Sequence, residues 1–244
     1  MKRAVLLAVT LAIGSFPSVS SASEPVYNES EVLNPSNSTE RVFKKVTRTV
    51  ISDEEDVIRI EGEASEANEV EAYNIEVDEK AGTYTATNIE GEKLESFQEE
   101  LQDKITARGS RYRSVTAITD DPAGVDLAKH TQKLNFSKGS SSVSYRSRSK
   151  SAWAAYPSSL GTHWYVDENK FTGLRFIDGN RTVESKSRAK FHNYDFGNDG
   201  KVTRVTHYIT IEGYYTGKSR YYVDWARSGE GHTLLDLDIA TKSG

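Results

Sequence analysis

Residues 181–226, RTVESKSRAKFHNYDFGNDGKVTRVTHYITIEGYYTGKSRYYVDWA, decide the fold class. The stretch contains three strand-like runs: Arg181–Phe196, Lys201–Ile211 and Ser219–Ala226. Turns with Asn, Asp or Gly, at residues 198–200 and 216–218, stand between them, and such turns connect antiparallel strands. The stretch therefore predicts antiparallel β-structure rather than a fold of alternating strands and helices.

The same pattern continues on both sides of this stretch. Further strand-like runs are Arg111–Thr119, Thr162–Val166, Lys170–Ile177 and Thr233–Ile239. Val125–Phe136 fits either a helix or a strand, and Ser137–Ser151 fits either a linker or an exposed strand. We therefore predict an antiparallel β-sandwich or barrel for the aromatic-rich residues 110–244.

Residues 41–109 predict a smaller α+β region. Its strand-like runs are Val42–Ile51, Val57–Ile60, Tyr73–Val77 and Thr83–Ile89. A helix is predicted over Glu92–Arg108 from apolar residues at helical spacing. These residues are Leu94, Phe97, Leu101 and Ile105. The fold class predicted for the whole chain is mainly β, with this N-terminal region followed by the antiparallel domain.

Residues 1–22 have the features of a secretory signal peptide. Lys2 and Arg3 precede the apolar run Ala4–Gly14, and small residues lead up to Ala22. The apolar run is shorter than the roughly 20 residues that a membrane-spanning helix needs, and an uncleaved anchor or a core helix is the alternative. Residues 23–40 are rich in Pro, Asn and Ser and predict a flexible leader. We therefore expect a secreted protein without a transmembrane helix after cleavage.

The composition excludes several classes of function. The chain contains no Cys, which excludes a disulfide scaffold, a thiolate metal site and a cysteine nucleophile. Residues 23–106 carry 22 acidic and 8 basic residues, whereas residues 107–244 carry 14 acidic and 21 basic residues. This asymmetry fits an acidic domain docked on a basic one, an acidic pro-region that is later removed, or one domain with differently charged faces.

The turn at Asp199 leads to a metal-binding hypothesis. If Asp199 and Gly200 form the centre of a type I′ hairpin, His192 faces His207 on the neighbouring strand. Asp195 and Asp199 also match two positions of a calcium-binding loop, although the bidentate Glu and the flanking helices are missing. These two His and two Asp residues are the candidate metal ligands. We otherwise expect no cofactor, and Ca²⁺ is the alternative.

No catalytic motif is present in the sequence. The spacings typical of α/β-hydrolases, zinc proteases, P-loop proteins and dinucleotide-binding proteins are absent. Asp224, Asp236 and Asp238 lie on late strands and are the carboxylates that a glycosidase would use. Asp236 and Asp238 alternate with apolar residues, however, which predicts that both lie on the solvent face of their strand. We therefore predict no catalytic residue.

Aromatic residues are the most prominent candidates for a binding role. Many of them stand in adjacent pairs, so that one ring of each pair points outward from a strand. The candidate ligand-binding residues are Trp153, Trp164, Tyr215, Tyr222 and Trp225. Exposed Trp and Tyr rings suit sugar rings or protein partners. The alternative is that these rings only cover the faces of the sheet, where Tyr is common.

Three functions are compatible with these observations. The first is a secreted, non-enzymatic module that binds a glycan, another cell-surface component or a protein. The second is a precursor cleaved near Arg108 or Arg111-Tyr112-Arg113, with an acidic pro-region and a basic effector that acts on membranes. The third is an extracellular hydrolase. A nucleic acid is not expected as a partner, because Arg146, Arg148 and Lys150 form only a short basic run in an exported chain.

Overall fold

The computed structural model describes residues 30–36, 42–63, 69–101, 110–156, 163–196 and 201–244. The predicted signal peptide, residues 1–22, lies outside the described residues, as do Asp199 and the predicted helical residues 102–108. Within the predicted leader, residues 23–40, two short segments form strands at the sheet edges. No helix in the described part of the chain is long and apolar enough to cross a membrane.

Fourteen strands and one α-helix are formed by the described residues. In chain order they are β1 (Ser30–Val32), β2 (Asn34–Pro35), β3 (Lys45–Ser52), β4 (Glu55–Glu63), β5 (Val70–Asp78), β6 (Thr83–Asn88), α1 (Gly91–Glu100), β7 (Ser110–Asp120), β8 (Asp126–Ser137), β9 (Ser144–Ala154), β10 (Trp164–Ile177), β11 (Thr182–Asn193), β12 (Thr203–Tyr214), β13 (Ser219–Ser228) and β14 (Asp236–Ser243). The ambiguous runs at 125–136 and 137–151 therefore contribute the strands β8 and β9.

The strands are arranged in two seven-stranded sheets. Sheet I has the order β1-β3-β4-β13-β12-β11-β10, and sheet II has the order β2-β6-β5-β14-β7-β8-β9. Neighbours are antiparallel except for the parallel pair β2 and β6. The prediction of a mainly β fold is confirmed, and the described strands form two sheets rather than a closed barrel.

Alternating side chains fill the space between the sheets. On β13, for example, Tyr221, Val223 and Trp225 point inward and are buried, as expected for a strand with one face on the core. The outer face of sheet II has a second, smaller apolar cluster, where Phe97 of α1 packs against Ile118 and Ala240. Helix α1 therefore covers part of the outer face of sheet II.

The separate N-terminal α+β region predicted for residues 41–109 is not seen as a distinct unit. Strand β4 pairs with β13, and β14 lies between β5 and β7. Removal of residues 23–109 would take away one of the two neighbouring strands of β13 and one of the two of β14. The possible cleavage sites Arg111 and Arg113 lie within β7, an inner strand of sheet II, and Arg113 is buried. The pro-region stays a prediction, and these pairings weigh against it.

Ion pairs inside the fold join acidic residues of the first half of the chain to a basic residue of the second half. Arg227 of β13 is buried, and its guanidinium donates two hydrogen bonds to Asp56 at 2.8 and 2.9 Å and one to Glu79 at 2.7 Å. Arg48 donates further bonds to the same two carboxylates. Although burial acts in the opposite direction, bonds from Arg227 and Arg48 hold the pKa of Asp56 below its ordinary value. Acidic residues of the first half thus pair with a basic residue of the second half.

The basic run on β9 closes one edge of the sandwich. Arg148 donates a hydrogen bond to the Gly173 carbonyl of β10 at 2.6 Å, and Lys150 donates one to the Asn169 carbonyl at 2.6 Å. Both side chains also contact the ring of Phe171. The two cations therefore occupy carbonyl groups of an edge strand that would otherwise be open to pairing with another chain.

The hairpin register predicted from Asp199-Gly200 is wrong. His192 lies opposite Arg204, and His207 lies opposite Ala189. The connection between β11 and β12 spans residues 194–202 instead of two residues, which shifts the pairing. As a consequence, His192 lies on the outer face of sheet I, whereas His207 points into the core.

Candidate ligand-binding site

A cleft on the outer face of sheet II contains an exposed tryptophan. Trp153 of β9 is 48% exposed, and the cleft beside it has a volume of about 290 Å³. Its lining residues are Glu100, Asp126, Lys129, Ser151, Ala152 and Trp153. Ala152 points inward to the core, so the alternation of the strand turns Trp153 outward. We call this surface the Trp153 cleft.

Strand pairing and helix packing place the polar residues of the Trp153 cleft. Lys129 of β8 lies directly opposite Trp153, and its ammonium group is 5.9 Å from the centroid of the indole ring. Helix α1 brings Glu100 over β8, where Glu100 accepts hydrogen bonds from Lys129 at 3.0 Å and from Thr131 at 3.1 Å. Asp126 lies 3.9 Å from the same Lys129 nitrogen. Two carboxylates are therefore held beside one ammonium group at the rim of an aromatic surface.

A partly buried ionic cluster adjoins the Trp153 cleft. We call it the lysine–aspartate cluster: Lys93, Asp120, Asp126 and Asp238. The Lys93 ammonium of α1 is 2.5 Å from Asp120, 2.6 Å from Asp238 and 3.3 Å from Asp126. Asp238 also accepts a hydrogen bond from Asn74 at 2.8 Å. Asp126 contacts Lys93 of α1 and also lines the cleft, so the packing of α1 and the shape of the cleft depend on the same side chain.

Burial and like charge shift the proton affinities in this cluster. Burial, together with the neighbouring Asp238 carboxylate, raises the pKa of Asp120 to about 8, although Lys93 opposes this shift. Burial acts against the charge on Lys93, but hydrogen bonds to Asp120 and Asp238 raise the pKa of Lys93 above its ordinary value. Lys93 therefore stays charged at neutral pH, and the cluster can hold a proton on a carboxyl group.

The prediction that Asp238 lies on a solvent face is wrong. The side chain does point to the outer face of sheet II, as the alternation on β14 indicates, but Lys93 and helix α1 cover it and its exposure is 0%. Asp236, on the same face, is only partly buried. Asp224, on the outer face of sheet I, lies 3.5 Å from Arg59. The three aspartates are thus distributed over different surroundings instead of forming a catalytic pair.

The five predicted ligand-binding aromatics do not form one surface. Trp164 and Trp225 are buried in the core, each with 1% exposure. They cannot contact a ligand there, because the inward alternation of β10 and β13 points them between the sheets. Tyr215 packs against the core beside Arg181, and Tyr222 lies against Arg59 on sheet I. Of the five, Trp153 lines the cleft described above.

A second aromatic surface lies on sheet I, and of its residues only His192, predicted as a metal ligand, was among the candidate site residues. It contains Tyr156, His163, Tyr165, His192 and Tyr194, and we call it the tyrosine–histidine array. The rings of Tyr165 and His192 are stacked with centroids 5.1 Å apart, and edge-to-face contacts of 4.7 to 6.4 Å join the other rings. Tyr156, which directly follows β9 of sheet II, contacts Tyr165 of sheet I, and the sequence pattern does not show this contact.

Two aspartates orient the imidazoles of the array. His163 Nδ1 lies 3.1 Å from Asp195, and His192 Nδ1 lies 2.6 Å from Asp167. The predicted metal pair of His192 and His207 is not formed, because the two residues lie on opposite faces of sheet I. No group of three or more His, Asp or Glu side chains within the described residues is arranged to hold a metal ion. Metal binding by Asp199 lies outside the described residues.

His207 belongs instead to a neutral cluster in the core. We call it the imidazole cluster: Thr119, His130, Gln132, Ser187 and His207. The rings of His130 and His207 stack at 6.5 Å between the two sheets. Thr119 contacts His207 at 2.7 Å, and Ser187 contacts His130 at 3.0 Å. Burial lowers the pKa of His130 to about 3 and lowers that of His207 well below its ordinary value.

Ser187 and His130 match the serine and histidine of a hydrolase triad in residue type only. Both side chains are buried, with exposures of 1% and 0%, and Ser187 donates its proton to Gln132 rather than to the imidazole. A substrate carbonyl would have to reach the centre of the sandwich to meet this hydroxyl. The arrangement is therefore a core hydrogen-bond network.

The polar residues of the Trp153 cleft were also missed by the sequence analysis. Glu100 lies on the predicted helix, but its stripe of apolar residues does not show which strand it covers. Asp126 and Lys129 lie in a run that the pattern left open between helix and strand. Strand alternation with Trp153 outward was the one available signal. Comparison of the chain with family models, curated proteins and solved structures gave no match.

Proposed function

We propose that this protein is an extracellular, non-enzymatic binding module that recognises a carbohydrate at the Trp153 cleft. The observation that carries the proposal is the half-exposed indole beside a cleft that also holds two carboxylates and an ammonium group. The export signal predicted over residues 1–22 supports the extracellular setting.

The chemistry of the Trp153 cleft suits a sugar ring. A pyranose has a face of C–H groups, which packs on an indole, and a rim of hydroxyl groups, which need hydrogen-bond partners. Glu100 and Asp126 offer acceptors, and Lys129 offers donors. Glu100 is already hydrogen-bonded to Lys129 and Thr131, and Asp126 is paired with Lys93. Both carboxylates are therefore held in place before a ligand arrives, which lowers the entropic cost of binding.

Affinity electrophoresis of the purified chain tests the proposal. The gels contain a soluble glucan, mannan, xylan or chitooligosaccharide, and we expect at least one of them to retard the wild-type protein. Trp153→Ala should weaken this binding about tenfold or more, since an aromatic anchor is removed. Glu100→Gln should weaken binding less, because the amide keeps the shape and one acceptor oxygen.

Phe176→Ala is the matched control. Phe176 is 45% exposed, close to the value for Trp153, but lies on β10 near the far end of sheet I. It should bind like the wild type. The proposal is wrong if the Trp153 variant is retarded as strongly as the wild type and the Phe176 variant, or if none of the polysaccharides retards the wild type.

A further inference from the structure

We propose that the tyrosine–histidine array is a second carbohydrate site, so that one chain bridges two polysaccharide strands. The inference rests on the proposed function for the type of ligand, and it adds a site, a stoichiometry and a cross-linking activity. It is carried by the geometry of the array, its polar rim and its position relative to the Trp153 cleft.

The rings of the array are exposed to an unusual degree for side chains of their size. Tyr156 is 62% exposed, Tyr194 is 53% exposed and Tyr165 is 38% exposed. They are not scattered, because Tyr165 contacts both of the other two at centroid distances of 5.7 and 6.4 Å. Contiguous aromatic surface of this kind marks an interaction site in a soluble protein, whereas single exposed rings do not.

Packing within the array fixes the rings before a ligand binds. Tyr165 and His192 are direct cross-strand partners on β10 and β11, and their rings stack with an angle of 16° between planes. The adjacent inward-facing residues, Trp164 and Phe191, are anchored in the core. The platform is therefore built on rigid strands, and little side-chain entropy is lost when a ligand covers it.

The polar groups around the array favour a neutral, hydroxyl-rich ligand. Asp167 and Asp195 lie at its rim, and Arg204 lies opposite His192 on the neighbouring strand. Acids and a base together do not complement a phosphate backbone, which the two carboxylates would repel. Hydroxyl groups can use all of these side chains, together with the tyrosine hydroxyls, as hydrogen-bond partners.

The two sites face in opposite directions. Trp153 points outward from sheet II, and Tyr165 points outward from sheet I, since Ala152 and Trp164 beside them point inward. The two surfaces lie on opposite faces of the sandwich near its β9–β10 edge, where Tyr156 follows Trp153 by three residues. A short oligosaccharide that lies flat on one face therefore does not cover the rings on the other face. A long polysaccharide bound at each surface is consequently linked to a second strand through the protein.

Titration and turbidity measurements with three variants test this inference. The probe is the polysaccharide that retards the wild-type chain, together with a short oligosaccharide prepared from it. We expect the wild type to bind two oligosaccharides per chain and to make the polysaccharide solution turbid. Trp153→Ala and the double variant Tyr165→Ala/Tyr194→Ala should each bind one oligosaccharide per chain and produce no turbidity.

Phe176→Ala again serves as the control and should behave like the wild type in both measurements. All substituted rings are exposed, so circular dichroism and thermal unfolding should show folded proteins. One oligosaccharide per wild-type chain, or undiminished turbidity with the double variant, overturns the second site. If the double variant abolishes binding while Trp153→Ala has no effect, the proposed function of the Trp153 cleft fails and the array is retained as the binding site.

Discussion

Thr119 and Asp120 are neighbours on β7, yet they serve two buried polar clusters of opposite character. Thr119 points inward and contacts His207, and it also accepts a hydrogen bond from Trp225 at 3.0 Å. Asp120 points outward to Lys93. The imidazole cluster is held by neutral partners, whereas the lysine–aspartate cluster depends on a cation supplied by helix α1.

The difference shows how the same strand meets the cost of burying polar groups in two ways. Between the sheets, the imidazoles lose their charge, as their lowered pKa values show. Beneath α1, Lys93 retains its positive charge and lies beside the carboxyl groups of Asp120 and Asp238, of which Asp120 can hold a proton. Removal of the cation, a fall in pH and a rise in pH should therefore affect the two clusters differently.

Removal of the cation should have the largest effect. Lys93→Met removes the cation beside the buried Asp120 and Asp238, and loss of one partner of a buried ion pair typically costs about 3–5 kcal/mol. The cost should lie at the lower end, because Lys93 is partly exposed and Asp120 can hold a proton at pH 7. We expect the free energy of unfolding at pH 7, measured by urea titration, to fall by about 3 kcal/mol. Near-ultraviolet signals should show whether α1 still packs on Ile118.

Lys44→Met is the control for this substitution. Lys44 is half exposed and bridges Glu61 and Glu63 at 3.3 and 3.4 Å. Such exposed pairs contribute about 0–1 kcal/mol, so the control should stay close to the wild type. Equal stabilities of the two variants would show that the buried carboxylates do not depend on Lys93.

The sequence predicts the two faces of β14 better than it predicts what covers them. Leu237 of β14 points inward as the alternation predicts, whereas Trp225 of β13, which was predicted to bind a ligand, also points inward and is buried. The alternation does not show which element packs on each face of the strand. Asp238 was expected to be exposed to solvent, but Lys93 of helix α1 covers it. This contact joins residues far apart in the chain, so the local pattern does not show it.

The candidate sites depend on the same kind of long-range information. Trp153 was selected from its residue type, but Trp164 and Trp225 have the same type and lie in the core. Register adds a further limit: a two-residue turn and a nine-residue connection place His192 opposite different residues. Local pattern therefore gives the strands and their faces, while pairing across the sandwich decides which aromatic residues reach solvent.

A fall in pH should destabilise the protein through the imidazole cluster. An unfolded His binds a proton below about pH 6.5, whereas His130 in the folded state does so only near pH 3. The unfolded state therefore binds more protons in this window, and each imidazole lowers stability by up to about 1.4 kcal/mol per pH unit. We expect His130→Gln to reduce the slope of unfolding free energy between pH 6 and pH 4.5 by about this amount.

A cavity variant in the same core separates the proton effect from general loss of packing. Val205→Ala removes two methyl groups from the core and should lower stability at every pH. Its slope against pH should stay that of the wild type. If both variants keep the wild-type slope, the neutral state of His130 does not contribute to acid unfolding.

A rise in pH should destabilise the protein through the lysine–aspartate cluster, which is the opposite pH dependence to that of the imidazole cluster. The pKa of Asp120 is raised from 3.8 to about 8, so between these values the folded state binds one proton more than the unfolded state. Stability from this group is therefore present at low pH and is lost as the pH rises toward 8.

Asp120→Asn removes the titration while keeping the shape. We expect the variant to gain on the wild type by about 1 kcal/mol per pH unit between pH 6 and pH 8, measured by urea titration at each pH, whereas the exposed control Asp53→Asn should run parallel to the wild type. This effect should be smaller than the slope change at His130, because Lys93 favours the charged carboxylate. A gain that increases toward low pH instead would mean that Asp120 is ionised in the folded state and that Lys93 outweighs both burial and Asp238.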